Sequence, residues 1–454
     1  GGIGVVCVAR SAIAQTVTIT IIRLKITAVQ LTRTPFFKVK ILAIIILLQT
    51  TIKQGLNFMY KSTTILSQLL QLADRLGFQK ICSDEKADKR YRSFSARTQL
   101  SAMVFAQLTN QKGLRSIENA TASDNDLYHA GIKARITRTN LAHANEFRPC
   151  EVFQKFYFHL LGHYKLLRGR KARKEEKTLK LIDATTISLN MRQCEWAKFR
   201  STKGGIKINT RFDCSLQCAD HLFITNANRH ENSTLKDMRL TQNDIAVFDR
   251  GYFNKNQFLG LSKSGIPFVT RLKSNIHFQL LSKGRAGPEN ENYKIISDEI
   301  ISMRMNDAKK DSEAVTLRRI VSRDKETKKE IRLLTNMLEE DAPSVAEIYR
   351  KRWTIELFFK MVKQNLRVKK FYGQSENAVK TQIWIALITH LLFLILKTMN
   401  PDSTRTFSSF CSEISVVVFK HRNLMKWFCG DYEKSHPKIM QPLSGPWLFE
   451  NLAS

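Results

Sequence analysis

Four residues around position 355 have types and spacing that suit chemistry on phosphates: Tyr349, Arg352, Glu356 and Lys363. If YRKRWTIELFFKMVK (349 to 363) is one helix, the side chains of these four residues fall within an arc of about 60° on its surface. The opposite face would be apolar and buried, which would fix the position of this stripe. A carboxylate among phosphate-seeking groups suits a metal ion and a nucleic-acid backbone. The competing interpretation is a solvated stripe in which Arg352 and Glu356 form an i,i+4 ion pair worth about 0.3–0.5 kcal/mol.

Two aspartates upstream would complete a set of hard oxygen ligands. Asp183 lies in TLKLIDATTISL and Asp249 follows DIAVF, so we expect each at or just before the end of a β-strand. A single strand-end aspartate more often caps a turn. Two aspartates on adjacent strands, with Glu356 on a helix, are the kind of ligand set that holds two Mg²⁺ ions in sites that cleave phosphodiesters.

The charge balance indicates the class of partner. The chain carries 73 Lys and Arg against 40 Asp and Glu, a net charge of +33. Such an excess favours a protein that neutralises many phosphates, so nucleic acid is the leading partner. A ribosomal protein or a cationic membrane-surface protein could show the same balance, so charge alone predicts no activity.

The elements before these residues are predicted to be helical. From 59 to 167, apolar residues recur at the three- and four-residue spacing of helices. Residues 129 to 148 read as a basic turn followed by a helix, which would suit a helix-turn-helix in which Arg135, Arg138 and Asn140 face DNA. A plain helical bundle with a solvated basic face explains the same pattern.

A charged run at 168 to 177 is typical of an exposed linker and marks a domain boundary. Strand candidates then follow in 178 to 265 and predict a mixed α/β sheet. Short basic strands indicate a β-rich insertion at 266 to 340. The chain is helical again at 341 to 399, where the apolar stretch from 377 is expected to be a buried core helix and no membrane span. Residues 400 to 454 form a tail without an informative pattern.

The first 58 residues differ from the rest, because they contain no Asp, Glu or Met and seven basic residues. We predict a spurious extension upstream of a true start at Met59. The apolar ILAIIILL at 41 to 48 offers the alternative of a targeting segment, but it is too short to span a bilayer. The cysteines form no CxxC pair, and Cys214 with Cys218 lacks two further zinc ligands, so we predict reduced thiols.

The spacing Tyr-x2-Arg-x3-Glu-x6-Lys resembles the signature of the insertion sequence 4 family of bacterial DDE transposases. LIDATTISL and VFDRGYF resemble the two aspartate motifs of that family, and LRSIENA with FQKFYFHLL resembles the N-terminal domain of one subgroup. The likeness runs from about Met59 to about Met399. Residues 1 to 58 match nothing in the family.

This resemblance implies an α/β fold: a ribonuclease H-like catalytic core in two parts, 178 to 265 and 341 to 399, interrupted by the β-rich insertion. An all-helical DNA-binding region at 59 to 167 would precede it.

The resemblance also implies roles for the site residues. Asp183 would bridge two Mg²⁺ ions, which Mn²⁺ can replace, and Asp249 and Glu356 would each complete the coordination of one. Tyr349, Arg352 and Lys363 would hold DNA beside the cut. Trp353 occupies a position where relatives can have an aromatic near the DNA end, but the helical wheel favours a core position for it.

We therefore predict a transposase that binds the terminal inverted repeats of its element, releases a 3′-OH by Mg²⁺-dependent hydrolysis and joins that end to target DNA. Pairing two ends would require at least a dimer on DNA, in the cytoplasm and at the nucleoid. The alternatives are a catalytically silent DNA-binding repressor and a standalone metal-dependent nuclease.

Overall fold

The chain is described by a computed structural model over residues 64–122, 135–168, 177–190, 194–200, 203–273, 276–284, 289, 291–305, 312–365 and 371–430. The predicted upstream extension, most of the predicted linker and the end of the predicted tail lie outside these residues. The domain boundaries given above remain predictions.

Helices make up the first part of the described chain. Several begin at a side-chain cap: Thr64 and Ser95 each accept a hydrogen bond from a backbone N–H three residues on, which satisfies a donor that the helix leaves unpaired. These helices are α1 (Ile65–Arg75), α2 (Phe78–Asp84), α3 (Ala96–Leu108), α4 (Leu114–Ala122), α5 (Arg138–Phe147) and α6 (Glu151–Leu167).

A large mixed sheet follows, with helices packed around it. Its strands are β1 (Thr178–Leu189), β2 (Lys198–Arg200), β3 (Lys203–Asp213), β4 (Cys218–Asn226), β5 (Asp244–Phe248), β6 (Phe268–Arg271), β7 (Gln279–Lys283), β8 (Tyr293–Arg304), β9 (Ala314–Asp324) and β10 (Glu330–Thr335). Helix α7 (Lys255–Lys263) connects β5 to β6.

The order of the strands places β1 between β3 and β5. β1 pairs antiparallel with β3 on one side and parallel with β5 on the other, and β6 continues the sheet in parallel with β5. β4 pairs with β3. The parallel strands carry the apolar runs that are expected where both faces of a sheet are covered.

The β-rich segment extends this same sheet through β10, β9, β8 and β7. β6, which the prediction placed in the insertion, pairs directly with β5. One apolar cluster runs through both regions, because Ile182, Phe248 and Phe268 belong to the same buried core as Leu317 and Leu334.

The last helices return the chain to the N-terminal region. They are α8 (Ala342–Arg350), α9 (Trp353–Asn365), α10 (Glu376–Met399), α11 (Phe407–Val417) and α12 (Leu424–Cys429). Of the described helices, α10 alone is long and apolar enough to span a membrane, yet 94% of its most apolar window is buried inside the protein. It packs on α3, α5 and α6, so it is a core helix, as predicted.

A buried ionic cluster holds β1 in register on the face away from Asp183. Lys180 Nζ donates to Asp213 Oδ2 at 2.6 Å and to Asp220 Oδ2 at 2.5 Å, and Arg211 Nε donates to Asp220 Oδ1 at 2.8 Å. All four side chains are largely buried. Because successive strand residues point to opposite faces, a slip by one residue would leave these carboxylates unpaired in the interior.

We predict that Lys180→Met lowers the free energy of unfolding by about 3–5 kcal/mol, because Asp213 and Asp220 lose their shared cation inside the protein. Urea unfolding measures the change. Lys177→Met, at an exposed residue just before β1, is the matched control and should stay within about 0.5 kcal/mol of the parent. A loss below about 1 kcal/mol for Lys180→Met would contradict a structural role for the cluster.

Candidate active site

Asp183 and Asp249 stand side by side because they follow paired residues of two parallel strands. The ladder between β1 and β5 ends with Ile182 opposite Phe248, and the two aspartates are the residues that follow this pair along the chain. Asp249 comes directly after the end of β5, as predicted. Parallel strands bring equivalent positions to the same level of a sheet.

Asp183 does not end its strand, contrary to expectation. β1 continues to Leu189 because the branched residues after the aspartate pair with β3, and Asp183 lies opposite Thr210 in that ladder. The side chain therefore projects from the middle of a long strand, where pairing on the β3 side fixes its backbone. Asp183 Oδ1 accepts a hydrogen bond from the N–H of Ala184 at 2.8 Å.

The segment 349 to 363 is not one helix, so the predicted wheel is wrong in its geometry. α8 ends at Arg350 and α9 begins at Trp353. Between them, Arg352 N donates to Tyr349 O at 3.0 Å and Thr354 N donates to Lys351 O at 3.0 Å. These i to i−3 bonds form a tighter turn than the α-helix on which a constant 100° per residue depends.

The turn nevertheless brings the residues of the motif onto the carboxylates. Tyr349 donates its hydroxyl hydrogen to Asp249 Oδ1 at 3.3 Å. Arg352 donates through Nη2 to Glu356 Oε1 at 2.5 Å, and its Nη1 lies 3.6 Å from Asp183 Oδ2. Two side chains therefore contact the three carboxylates. Tyr349, near the end of α8, binds the carboxylate after β5, and Arg352, in the turn, lies between the carboxylates of β1 and α9.

Burial changes the acid–base properties of this cluster. Burial raises the pKa of Asp183 to about 6; the Ala184 N–H and the Arg352 guanidinium oppose the shift, and the charges of Glu231 and Glu356 add to it. Burial also raises the pKa of Tyr349 above its usual value, and the neighbouring Asp249 carboxylate adds to that rise. Tyr349 is therefore a neutral hydrogen-bond donor at physiological pH.

Trp353 lies on the surface and not in the core, because the helix break turns it outward. Its exposed fraction is 59%, and Leu357, one turn further on, is 51% exposed. The expected burial holds for Ile355, Phe358 and Val362 on the other side of α9. Two apolar side chains therefore face solvent directly beside Arg352.

Lys363 lies on α9, two helical turns beyond Glu356 and on the same face. It is partly buried. At a rise of 1.5 Å per residue, its backbone is about 10 Å from that of Glu356 along the helix. Lys363 thus extends the basic surface away from the carboxylates.

The predicted DNA-contacting residues of the helical region lie elsewhere, on and before α5. Arg135, Arg138 and Asn140 are all exposed. Thr137 caps the helix by accepting from the N–H of Asn140 at 3.1 Å. Residues 129 to 134, which form the first part of the predicted helix-turn-helix, lie outside the described residues.

One acidic residue beside this cluster, Glu231, was not among the predicted site residues. It opens a short 3-10 turn, Glu231–Ser233, that packs on the turn Arg250–Tyr252 directly after Asp249. Glu231 lies five residues after the end of β4, in the irregular stretch NRHENSTL, and no helical periodicity includes it, so the sequence pattern did not mark it.

Comparison with known families places this cluster in context. The model of the family described as "Transposase DDE domain" matches residues 174–392, a range that includes Asp183, Asp249 and Glu356. Residues 61–133 match a domain of unknown function.

Three curated relatives carry the same kind of name. "Putative transposase y4zB" of Sinorhizobium fredii is 32% identical over 63% of this chain and 78% of its own length. "Probable transposase for insertion sequence element IS5377" of Geobacillus stearothermophilus is 26% identical over 54% of this chain and 63% of its own length. "Putative transposase for insertion sequence element IS4SA" of Synechocystis is 26% identical over 60% of this chain and 78% of its own length.

The chain belongs to the DDE transposases. A DDE domain implies the use of a divalent metal, generally Mg²⁺. Among solved structures, a piggyBac transposase synaptic complex with hairpin DNA covers 82% of this chain and 83% of its own, at 10% identity and a TM-score of 0.40. That likeness is too distant to carry an argument about this chain.

The raised pKa of Asp183 predicts a pH-dependent cost to stability. The carboxyl of Asp183 has a pKa of about 6 in the folded state against its ordinary value of 3.8. The folded state therefore binds the proton more tightly than the unfolded state, so stability is lost as the pH rises from about 4 to about 6. In EDTA, Asp183→Asn should therefore raise the free energy of unfolding by up to about 2–3 kcal/mol above pH 6, and the melting temperature should rise with it. This gain should shrink toward pH 4. Differential scanning calorimetry across this range measures it. A gain that does not depend on pH would contradict the predicted shift.

Proposed function

We propose that this DDE transposase is of the insertion sequence 4 type and uses a ribonuclease H-like core to cut and join DNA ends. The Tyr-x2-Arg-x3-Glu-x6-Lys spacing supports the family assignment. The order β4, β3, β1, β5, β6, antiparallel on one side of β1 and parallel on the other, supports the core.

The chemistry of the donor set fits divalent cations. Asp183, Asp249 and Glu356 offer hard carboxylate oxygens, which Mg²⁺ prefers and Mn²⁺ accepts. Among the described residues, no three acidic, His or Cys side chains are close enough together to hold one ion, and Arg352 contacts both Asp183 and Glu356. In this proposal Asp183, Asp249 and Glu356 would together hold the divalent cations.

Arg352 would change partners when DNA binds. Its guanidinium is the counter-ion of two carboxylates, and a phosphate beside the cut offers the same bidentate acceptor geometry. A divalent cation would compete with Arg352 for Asp183 and Glu356, so transfer of Arg352 to a phosphate would strengthen binding of the cation. Bound metal would stabilise the developing charge and lower the pKa of the attacking water.

The reaction is two successive displacements at phosphorus. Water attacks the phosphodiester at the end of the element, and the 3′ oxygen leaves as a hydroxyl. That hydroxyl then loses its proton as it attacks a phosphodiester of target DNA, and the 3′ oxygen of the cut target strand leaves as a hydroxyl. Tyr349 is no nucleophile here, because its hydroxyl is neutral and donates to Asp249.

The surfaces around the site supply DNA binding. Trp353 and Leu357 are exposed beside Arg352, where an apolar pair can contact the unstacked end of a duplex. Lys363 would neutralise a phosphate further along. Arg135, Arg138 and Asn140 would contribute to recognition of the inverted repeats, and two copies would pair two ends, in the cytoplasm and at the nucleoid.

One observation supports this function most strongly: three carboxylates from separate elements meet at Arg352 and Tyr349. Asp183→Asn, Asp249→Asn and Glu356→Gln keep the shape of each side chain and remove its charge, so each should abolish Mg²⁺-dependent nicking of a labelled duplex carrying the element's end. Binding of that duplex in EDTA, measured by gel shift, should persist because it depends on other surfaces.

Glu347→Gln is the matched control for these variants. Glu347 lies two residues before Tyr349 but pairs with Arg350 on the exposed side of α8, so nicking should stay near the parent rate. Nicking that survives in one of the three variants would remove that residue from the site. A protein that nicks the end but never joins it to a supercoiled plasmid would be a nuclease instead.

Lys363→Ala tests the basic surface separately. If Lys363 neutralises one phosphate, its loss should weaken binding to the cleavage-site duplex and reduce the slope of log K against log salt by about one. Fluorescence anisotropy across a salt series measures the slope. An unchanged slope would indicate a solvated lysine without a phosphate partner.

A further inference from the structure

Glu231 lies against the backbone of the turn that follows Asp249. A Cβ atom added to Gly251 would stand 2.5 Å from Glu231 Oε2, closer than real Cβ contacts come. The absence of a side chain at Gly251 therefore lets the carboxylate approach the backbone, and a Cβ atom there would displace the end of the Glu231 side chain. The contact joins two short turns that carry neighbouring parts of the site.

Lys207 faces Glu231 from the sheet. Lys207 Nζ lies 3.4 Å from Glu231 Oε1 and donates to the carbonyl of Arg229 at 2.9 Å. Lys207 is buried on β3, opposite Thr186 of β1. The pair thus ties the turn at Glu231 to the two strands that position Asp183.

The charge of Glu231 lies close to the proposed metal ligands. Its carboxylate contacts the turn Arg250–Tyr252, which directly follows Asp249, and its partner Lys207 lies on β3, the strand that pairs with β1 around Asp183. Two basic side chains contact three of the four carboxylates at this site: Arg352 lies between Asp183 and Glu356, and Lys207 faces Glu231. The fourth, Asp249, accepts a hydrogen bond from the Tyr349 hydroxyl.

We propose that Glu231 is a fourth acidic residue of the active site, a positioning residue that holds the turn after Asp249 and adds negative charge that strengthens binding of the divalent cation. This inference rests on the metal site proposed above. Lys207 tunes the effect, because it offsets part of the charge of Glu231.

The test measures Mn²⁺ binding to the full chain by electron paramagnetic resonance, in the absence of DNA. Removing one charge within about 8 Å of a divalent cation, in water-like surroundings, weakens binding about fivefold. Glu231→Gln should therefore weaken Mn²⁺ binding by about that factor and raise the Mg²⁺ concentration for half-maximal nicking in parallel. Lys207→Gln should shift both quantities in the opposite direction.

Asp237→Asn is the matched control, since Asp237 lies in the same region and pairs with Arg229; Mn²⁺ binding should not change. If Glu231→Gln binds Mn²⁺ like the parent while Glu356→Gln loses binding, the inference fails and the metal site stands. If Glu356→Gln also binds normally, the metal site itself is wrong. Should Glu231→Gln fail to fold in a melting experiment, Lys207→Gln decides alone, and unchanged or weaker Mn²⁺ binding in it overturns the proposal.

Discussion

The parallel pairing of β1 with β5 is the constraint on which the site depends. It ends at Ile182 and Phe248 and so delivers Asp183 and Asp249 to the same level of the sheet. The aspartates come from distant parts of the chain, and no local interaction could hold two carboxylates together against their repulsion. The sheet does so because burial of its apolar faces and the ionic cluster at Lys180 fix the register of β1.

Repulsion among the carboxylates is balanced by cations that lie between them. Arg352 contacts Asp183 and Glu356, Lys207 faces Glu231, and the Tyr349 hydroxyl serves Asp249. An active site for phosphates needs negative charge for metal and positive charge for DNA within the same small volume. A guanidinium that can exchange a carboxylate for a phosphate meets both needs, because both acceptors suit its planar donor geometry.

Much of the chemistry of the site could be predicted from local sequence, and much of its geometry could not. The identity of Asp249 as a residue after a strand followed from the apolar run before it. The placement of Asp183 within β1 did not, because the extension of that strand depends on pairing with β3.

The helix break at Lys351 and Arg352 has the same kind of origin. A helical wheel assumes constant rotation, and only the contacts of Tyr349 and Arg352 with other elements reveal the turn and the exposure of Trp353. Glu231 was beyond prediction because its place beside Asp249 arises from the packing of two irregular turns.

If carboxylates from three separate elements form one divalent-metal site, a single bound ion should lie close to all three, and metal-directed cleavage of the protein measures this. Fe²⁺ bound in place of Mg²⁺, with ascorbate and peroxide, generates hydroxyl radicals that cut the nearest backbone. We expect cuts close to residues 183, 249 and 356, each suppressed by excess Mg²⁺ and lost in Glu356→Gln. Cuts confined to one of these segments, or cuts elsewhere that Mg²⁺ does not suppress, would rule out a shared metal site.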